Sequence, residues 1–159
     1  MKFARTSNRL LFLLGQRETR TFLATLRLYP RIPPAHHRLS KSGKIPEAAA
    51  SQRLLDEALA EQRAENRKLL QALLVDPKRF TRTETGSRLT LTPAETEWLL
   101  QVFNDIRVGS WILLGAPDEK LELAVVNETT ARRFLEMETA GIFQMQLLAG
   151  LEGGVARQT

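Results

Sequence analysis

The sequence predicts a helix-dominated α+β fold made of two β-hairpin–helix–helix units that share a small antiparallel sheet. Three observations predict it. Two short stretches read as a strand, turn residues and a second strand, as hairpins do, and a helix signal follows each one. The two stretches also echo one another: an offset of 77 gives seven identities in the 21 positions from Phe3 to Leu23, where unrelated sequences give roughly one or two. The chain is therefore expected to be a single domain over residues 1–152, built of pseudo-repeats 1–76 and 77–152, with a flexible tail over 153–159.

In the first unit, Phe3 to Thr6 and Arg9 to Leu14 read as strands around a Ser7-Asn8 turn. The second of them is apolar on both faces and is expected to be more buried than its counterpart in the second unit. Phe22, Leu23, Leu26 and Tyr29 then recur at helical spacing, and Pro30 ends the helix. Arg31 to Ile45, punctuated by Pro33-Pro34 and Gly43, reads as a loop. Glu47 to Val75 is rich in strong helix formers. Its apolar residues gather at Leu54, Leu55, Ala58 and Leu59 and again at Leu69, Leu70, Leu73 and Leu74, so the polar middle, Glu61 to Lys68, faces solvent or bends.

The second unit opens with Phe80 to Arg82, a Glu84-Thr85-Gly86-Ser87 turn and the alternating run Arg88-Leu89-Thr90-Leu91. Thr92-Pro93-Ala94-Glu95 is the clearest local signal in the chain. The Thr92 hydroxyl can accept the Glu95 N–H, Pro93 suits the first helical position, and the Glu95 carboxylate can reach back to the Thr92 N–H. Leu99, Leu100, Phe103 and Ile106 carry this helix to a stop near Gly115, with Pro117 beyond. Leu121 to Val126 fits helix and strand equally. Asn127 can cap a last helix whose apolar residues are Ala131, Phe134, Leu135, Ile142, Met145 and Leu148.

Composition bounds the function. With 43% hydrophobic and 26% charged residues the chain is expected to fold, and with 6% aromatics its core is mostly leucine. The absence of cysteine excludes disulfides, thiol nucleophiles and cysteine-based metal sites, and fits a reducing compartment. The apolar run Leu10 to Leu14 is too short for a secretory signal, and Arg17, Glu18 and Arg20 follow it in place of a cleavage site. No stretch approaches the roughly 20 apolar residues of a spanning helix, so the expectation is a soluble cytoplasmic protein with no membrane partner.

No catalytic apparatus is recognisable. There is no nucleophile elbow, Walker loop or dinucleotide fingerprint, and the chain is read as not an enzyme. His36-His37 is the one histidine pair, and adjacent side chains in a proline-rich loop rarely converge on one ion. Neither a metal nor a cofactor is expected.

Two groups of residues remain as candidate sites. Asn104-Asp105-Ile106-Arg107 lies mid-helix, where Asn and Asp have poor propensity, and helical spacing brings it near Trp98. Trp98, Asn104, Asp105 and Arg107 line a polar cleft on the functional reading. On the structural reading, which is favoured because buried charges must be paired, they form a network with Arg132, Arg133 or Glu136. The second group is basic. Residues 1–46 hold ten Lys or Arg against one acid, and the remainder holds thirteen against seventeen, a balance of +9 followed by −4. Arg17, Arg20, Arg27, Arg31 and Arg38, extended by Lys41 and Lys44, could form a polyanion-contacting stripe. The alternative, weighed as the better one, packs this basic third against the acidic remainder. The expected function is a non-enzymatic interaction or regulatory protein with an unidentified protein partner; nucleic-acid binding is the alternative, and a homodimer is open.

The stretch Leu91 to Arg107, followed by Leu113-Leu114-Gly115, resembles the signature of an uncharacterised bacterial family, best populated in actinobacteria, in which a Leu-Thr-x-x-Glu helix start leads to Trp and then Asn-Asp-x-Arg. Phe3 to Glu18 and Phe134 to Leu148, with Gly141-Ile142-Phe143-Gln144, are similar to that family's two ends. The resemblance implies a small cytoplasmic protein often encoded near the ClpS adaptor, and so a link to Clp-type regulated proteolysis. The basic, proline-rich Arg31 to Lys44 departs from the family, which tends to be acidic there.

Overall fold

The computed structural model describes residues 1–34, 48–117 and 127–153. Four strands, β1 (Lys2–Arg5), β2 (Leu10–Gly15), β3 (Phe80–Thr83) and β4 (Gly86–Leu91), form one antiparallel sheet in the order β1-β2-β4-β3. Four helices accompany it: α1 (Gln16–Leu26), α2 (Ala48–Val75), α3 (Pro93–Leu113) and α4 (Glu128–Glu152). This is the helix-dominated α+β fold that the alternation of hairpin and helix signals predicts. His36-His37, Arg38, Lys41, Lys44, Leu121 to Val126 and the tail beyond residue 153 lie outside the described residues.

The sheet is joined at its middle by the second strand of each hairpin. β2 and β4 pair with Leu10 opposite Leu91, Phe12 opposite Leu89 and Leu14 opposite Ser87. Their outer partners keep one register, because Phe3 faces Phe12 in the first hairpin and Phe80 faces Leu89 in the second. Joining β2 to β4 gives each hairpin the further strands that an isolated ribbon in water lacks.

Successive side chains of a strand point to opposite faces. Leu10, Phe12, Leu14, Leu89, Leu91 and Ser87 accordingly turn inward and are buried beneath the helices. The expectation that β2 is more buried than its counterpart β4 needs correction. Leu13 is 45% exposed and Leu11 only half-buried, because no described element covers the opposite face of the sheet.

Two helix starts follow the sheet directly. Glu18 Oε2 accepts the Gly15 N–H at 2.8 Å, and Glu95 Oε2 accepts the Thr92 N–H at 3.0 Å while Thr92 Oγ1 accepts the Glu95 N–H at 3.1 Å. Each carboxylate also meets a cation: Glu95 pairs with Arg79 at 2.7 Å, and Glu18 with the Met1 ammonium. That ammonium, together with the Gly15 N–H, holds the Glu18 carboxyl below its ordinary range. Between sheet and helices, Thr19 Oγ1 and Ser87 Oγ satisfy one another at 2.7 Å in a fully buried site.

Above the sheet, Phe22 of α1, Phe103 of α3 and Phe143 of α4 form an aromatic knot with ring centroids 5.3 to 5.7 Å apart. α2 is one continuous helix, and its polar middle faces solvent except at Arg63 and Asn66, which are half-buried and turn inward. Leu70 and Leu73 reach the core, whereas Leu54 is 65% exposed.

Candidate interaction surface

The candidate cluster of Trp98, Asn104, Asp105 and Arg107 is split by α3 between two faces. Trp98 and Asp105 turn toward residues 29–32, which cross the helices after α1 ends. Asp105 Oδ1 accepts the Arg31 N–H at 2.6 Å and the Ile32 N–H at 3.4 Å. One turn on, Gly109 makes room for the same backbone, since a Cβ there would lie 2.5 Å from the Arg31 carbonyl carbon. Arg31 Nη2 reaches Glu136 of α4 at 2.8 Å, and Arg63 of α2 donates to the Ile32 carbonyl at 2.6 Å. Trp98 Nε1 donates to Asn66 Oδ1 at 3.1 Å, and Asn66 Nδ2 donates to the Tyr29 hydroxyl oxygen at 2.8 Å. Segment 29–32 is thus a strap tied to three helices, and Asp105 is its backbone acceptor. An Asp in mid-helix, unfavourable by propensity, is accounted for by this tertiary hydrogen bond.

Asn104 and Arg107 take the other face. Arg107 Nε donates to Gln144 Oε1 of α4 at 2.8 Å and Arg107 Nη2 to Asn104 Oδ1 at 3.1 Å. These partners are neutral amides, so the exposed guanidinium has no carboxylate opposite it among the described residues. Pairing with Arg132, Arg133 or Glu136 is not the arrangement found: Arg133 donates to the Leu113 carbonyl at the end of α3, and Glu136 holds Arg31.

Around Arg107 opens a groove of about 770 Å³ between α3 and α4. Its polar centre is Asn104, Arg107 and Gln144. Its apolar flank is Leu100 of α3 with Ile142, Met145 and Leu148 of α4. The three α4 side chains are 48%, 65% and 45% exposed, and Leu135, further along the same helix, is 65% exposed. α4 therefore has two apolar stripes. Ala140, Phe143, Leu147 and Gly150 are buried against the rest of the fold, and Ile142, Met145 and Leu148 face outward along the groove, while Leu135, also exposed, lines a separate groove between α1 and α4. The apolar positions of α4 in the sequence do not reveal that some belong to a second, uncovered stripe, and Glu138, on the rim of the groove, carries no sequence signal at all.

The basic candidates are likewise divided. Arg17, Arg20 and Arg27 are exposed on or just beyond α1, and none of them enters an ion pair among the described residues. Arg17 and Arg20 rim a second groove, of about 450 Å³, between α1 and α4. Arg31 is committed to Glu136, with only 14% of its side chain exposed, and Arg38 lies outside the described residues.

Among the described residues no three acidic or histidine side chains gather as a metal site would require, and no helix is long and apolar enough to cross a membrane. No family model matches this chain, and no curated protein or solved structure is significantly similar to it.

Proposed function

We propose that this chain is a non-enzymatic interaction protein that binds another polypeptide through the outward face of α3 and α4. The observation that carries the reading is the exposed row Ile142, Met145 and Leu148 beside an open groove with a polar centre. Contiguous apolar surface rimmed by polar residues costs solubility unless something covers it. Methionine adds adaptability, because its unbranched side chain fits irregular partner surfaces. A photo-crosslinker placed at Ile142 is expected to yield protein adducts, with none from the exposed Glu57 on α2. Equal yields from both positions, or none from either, sink the reading.

A second reading is favoured by Arg17, Arg20 and Arg27, three exposed cations without acidic partners among the described residues. Here α1 contacts a nucleic-acid backbone, and binding weakens steeply with salt as counterions are released. Reversing Arg20 and Arg27 to Glu abolishes binding on this reading, and unchanged binding refutes it.

The common register of the two hairpins supports an origin by duplication of one hairpin–helix–helix unit within a single domain. A cytoplasmic role near Clp-type proteolysis is carried by the family resemblance alone.

A further inference from the structure

The α3–α4 face has a charge pattern that selects its occupant, and we infer that the occupant is a second copy of this chain; the inference rests on the interaction reading above. The groove holds one cation and one anion that nothing in the described fold neutralises. Arg107 is hydrogen-bonded only to amides, and Glu138 has no hydrogen bond or ion pair among the described residues. Both line the groove beside the apolar row.

A two-fold interface places the same patch on both sides, so each residue that meets a partner residue is met by it in return. A patch holding one unpaired positive and one unpaired negative group is complementary to itself under that operation. A purely acidic or purely basic partner would leave one of the two charges unanswered.

The geometry of α4 agrees. On α4 the groove is lined by Met137, Glu138, Gly141, Gln144, Met145 and Leu148, whereas Leu135 lies on the α1 side of the helix. Packing two α4 helices antiparallel about Gly141 sets Met137 against Met145 of the second copy. Gly141 sits at the crossing, where a missing side chain lets two helices approach closely, and its nearest neighbour to a built Cβ is Arg107 Cδ at 3.5 Å. Arg107 thus lies level with the centre, and Glu138 is one turn from it. In the antiparallel pair, Glu138 of each copy arrives beside Gln144 of the other, the residue that holds the other's Arg107. Two Arg–Glu pairs then flank an apolar seam, each closing a charge that the lone chain leaves open.

Sedimentation of the full chain over roughly 1 to 100 μM tests this directly. The expected species is a dimer. Ile142→Glu, at an exposed site, is expected to raise the dissociation constant by about 100-fold or more. Arg107→Glu and Glu138→Arg are each expected to weaken the dimer by about tenfold or more, and the chain carrying both exchanges is expected to recover it, since the attraction is restored with reversed sign. Unchanged circular dichroism establishes that each variant is folded, and the exposed Glu138 provides a variant that does not disturb Arg107. A wild-type monomer at the top concentration overturns the inference, as does a dimer indifferent to Ile142→Glu or a double exchange that recovers nothing. The crosslinking at Ile142 separates the two claims. Adducts only with other proteins refute the second copy and leave the interaction reading standing, whereas no adducts and no dimer refute both.

Discussion

Phe12 stands directly opposite Leu89 across the β2–β4 ladder, and 77 positions separate the two along the chain. This is the offset at which the sequence echoes itself, so the pair lies where the local two-fold relation between the hairpins places a residue against its own counterpart. The offset that aligns Phe3 with Phe80 is therefore also written in the hydrogen-bond register.

Because both residues are fully buried at the centre of the sheet, truncation there is costly. Phe12→Ala is expected to lower stability by about 3–5 kcal/mol, read from urea denaturation. The ring is also packed tightly from above, since a Cβ on Gly150 would come 2.7 Å from it. Gly150→Ala is expected to cost about 1–3 kcal/mol through overpacking. Phe12→Leu in the same chain should return part of that loss, which identifies the clash as the cause.

Asp105 and Arg107 are two residues apart but should behave oppositely. Asp105→Ala leaves the Arg31 N–H without its acceptor and is expected to cost about 1–3 kcal/mol. Asp105→Asn retains Oδ1 and should cost less. Arg107→Ala, at an exposed site with amide partners, is expected to stay within about 0.5 kcal/mol at concentrations low enough to keep the chain monomeric. Denaturation of the three variants side by side checks the division, and equal losses at the two positions would contradict the strap.

The start of α3 gives a calibrated case. Thr92→Ala removes the acceptor for the Glu95 N–H and is expected to destabilise by about 1 kcal/mol, measured as a shift in denaturation midpoint at unchanged slope.

Glu18 sets an acid limit. Its folded-state pKa is depressed below the ordinary 4.5, first by the Met1 ammonium and then by the Gly15 N–H. A depressed carboxyl contributes stability that is fully present above its unfolded value and is lost as pH falls through the folded one. Glu18→Gln should therefore flatten the decline of stability below about pH 4.5 and leave the pH dependence near neutrality unchanged. An identical acid limb in the variant refutes this role.

Most element boundaries were legible because they are punctuated locally. Ser7-Asn8 and Glu84-Thr85 turn the hairpins, and Thr92-Pro93 with Glu95 opens α3, each through contacts within a few residues. What was illegible depends on partners far along the chain. Asp105 is explained by the backbone of residues 31 and 32 and Asn66 by Trp98 and Tyr29, and no spacing rule connects positions so distant. The face of the sheet bearing Leu13 and the outer stripe of α4 escaped for a different reason. Hydrophobic periodicity locates apolar positions but not whether the fold has anything left to cover them. Of the candidate surface, Arg107 and Asn104 were visible as a motif, and Gln144 and Glu138 acquire meaning only beside them.

The central ladder ties residues 10–15 to residues 86–91, and that long tether shapes how the protein can be made. A nascent chain emerging from the ribosome completes its first ribbon early but must carry Leu10, Phe12 and Leu14 without their mates until β4 has been synthesised. Such a ribbon has little stability alone, and partly formed species with bare strand edges invite aggregation. A fragment ending before residue 91 should therefore fail to fold as a separable half, and the sheet can assemble only once β4 has been made.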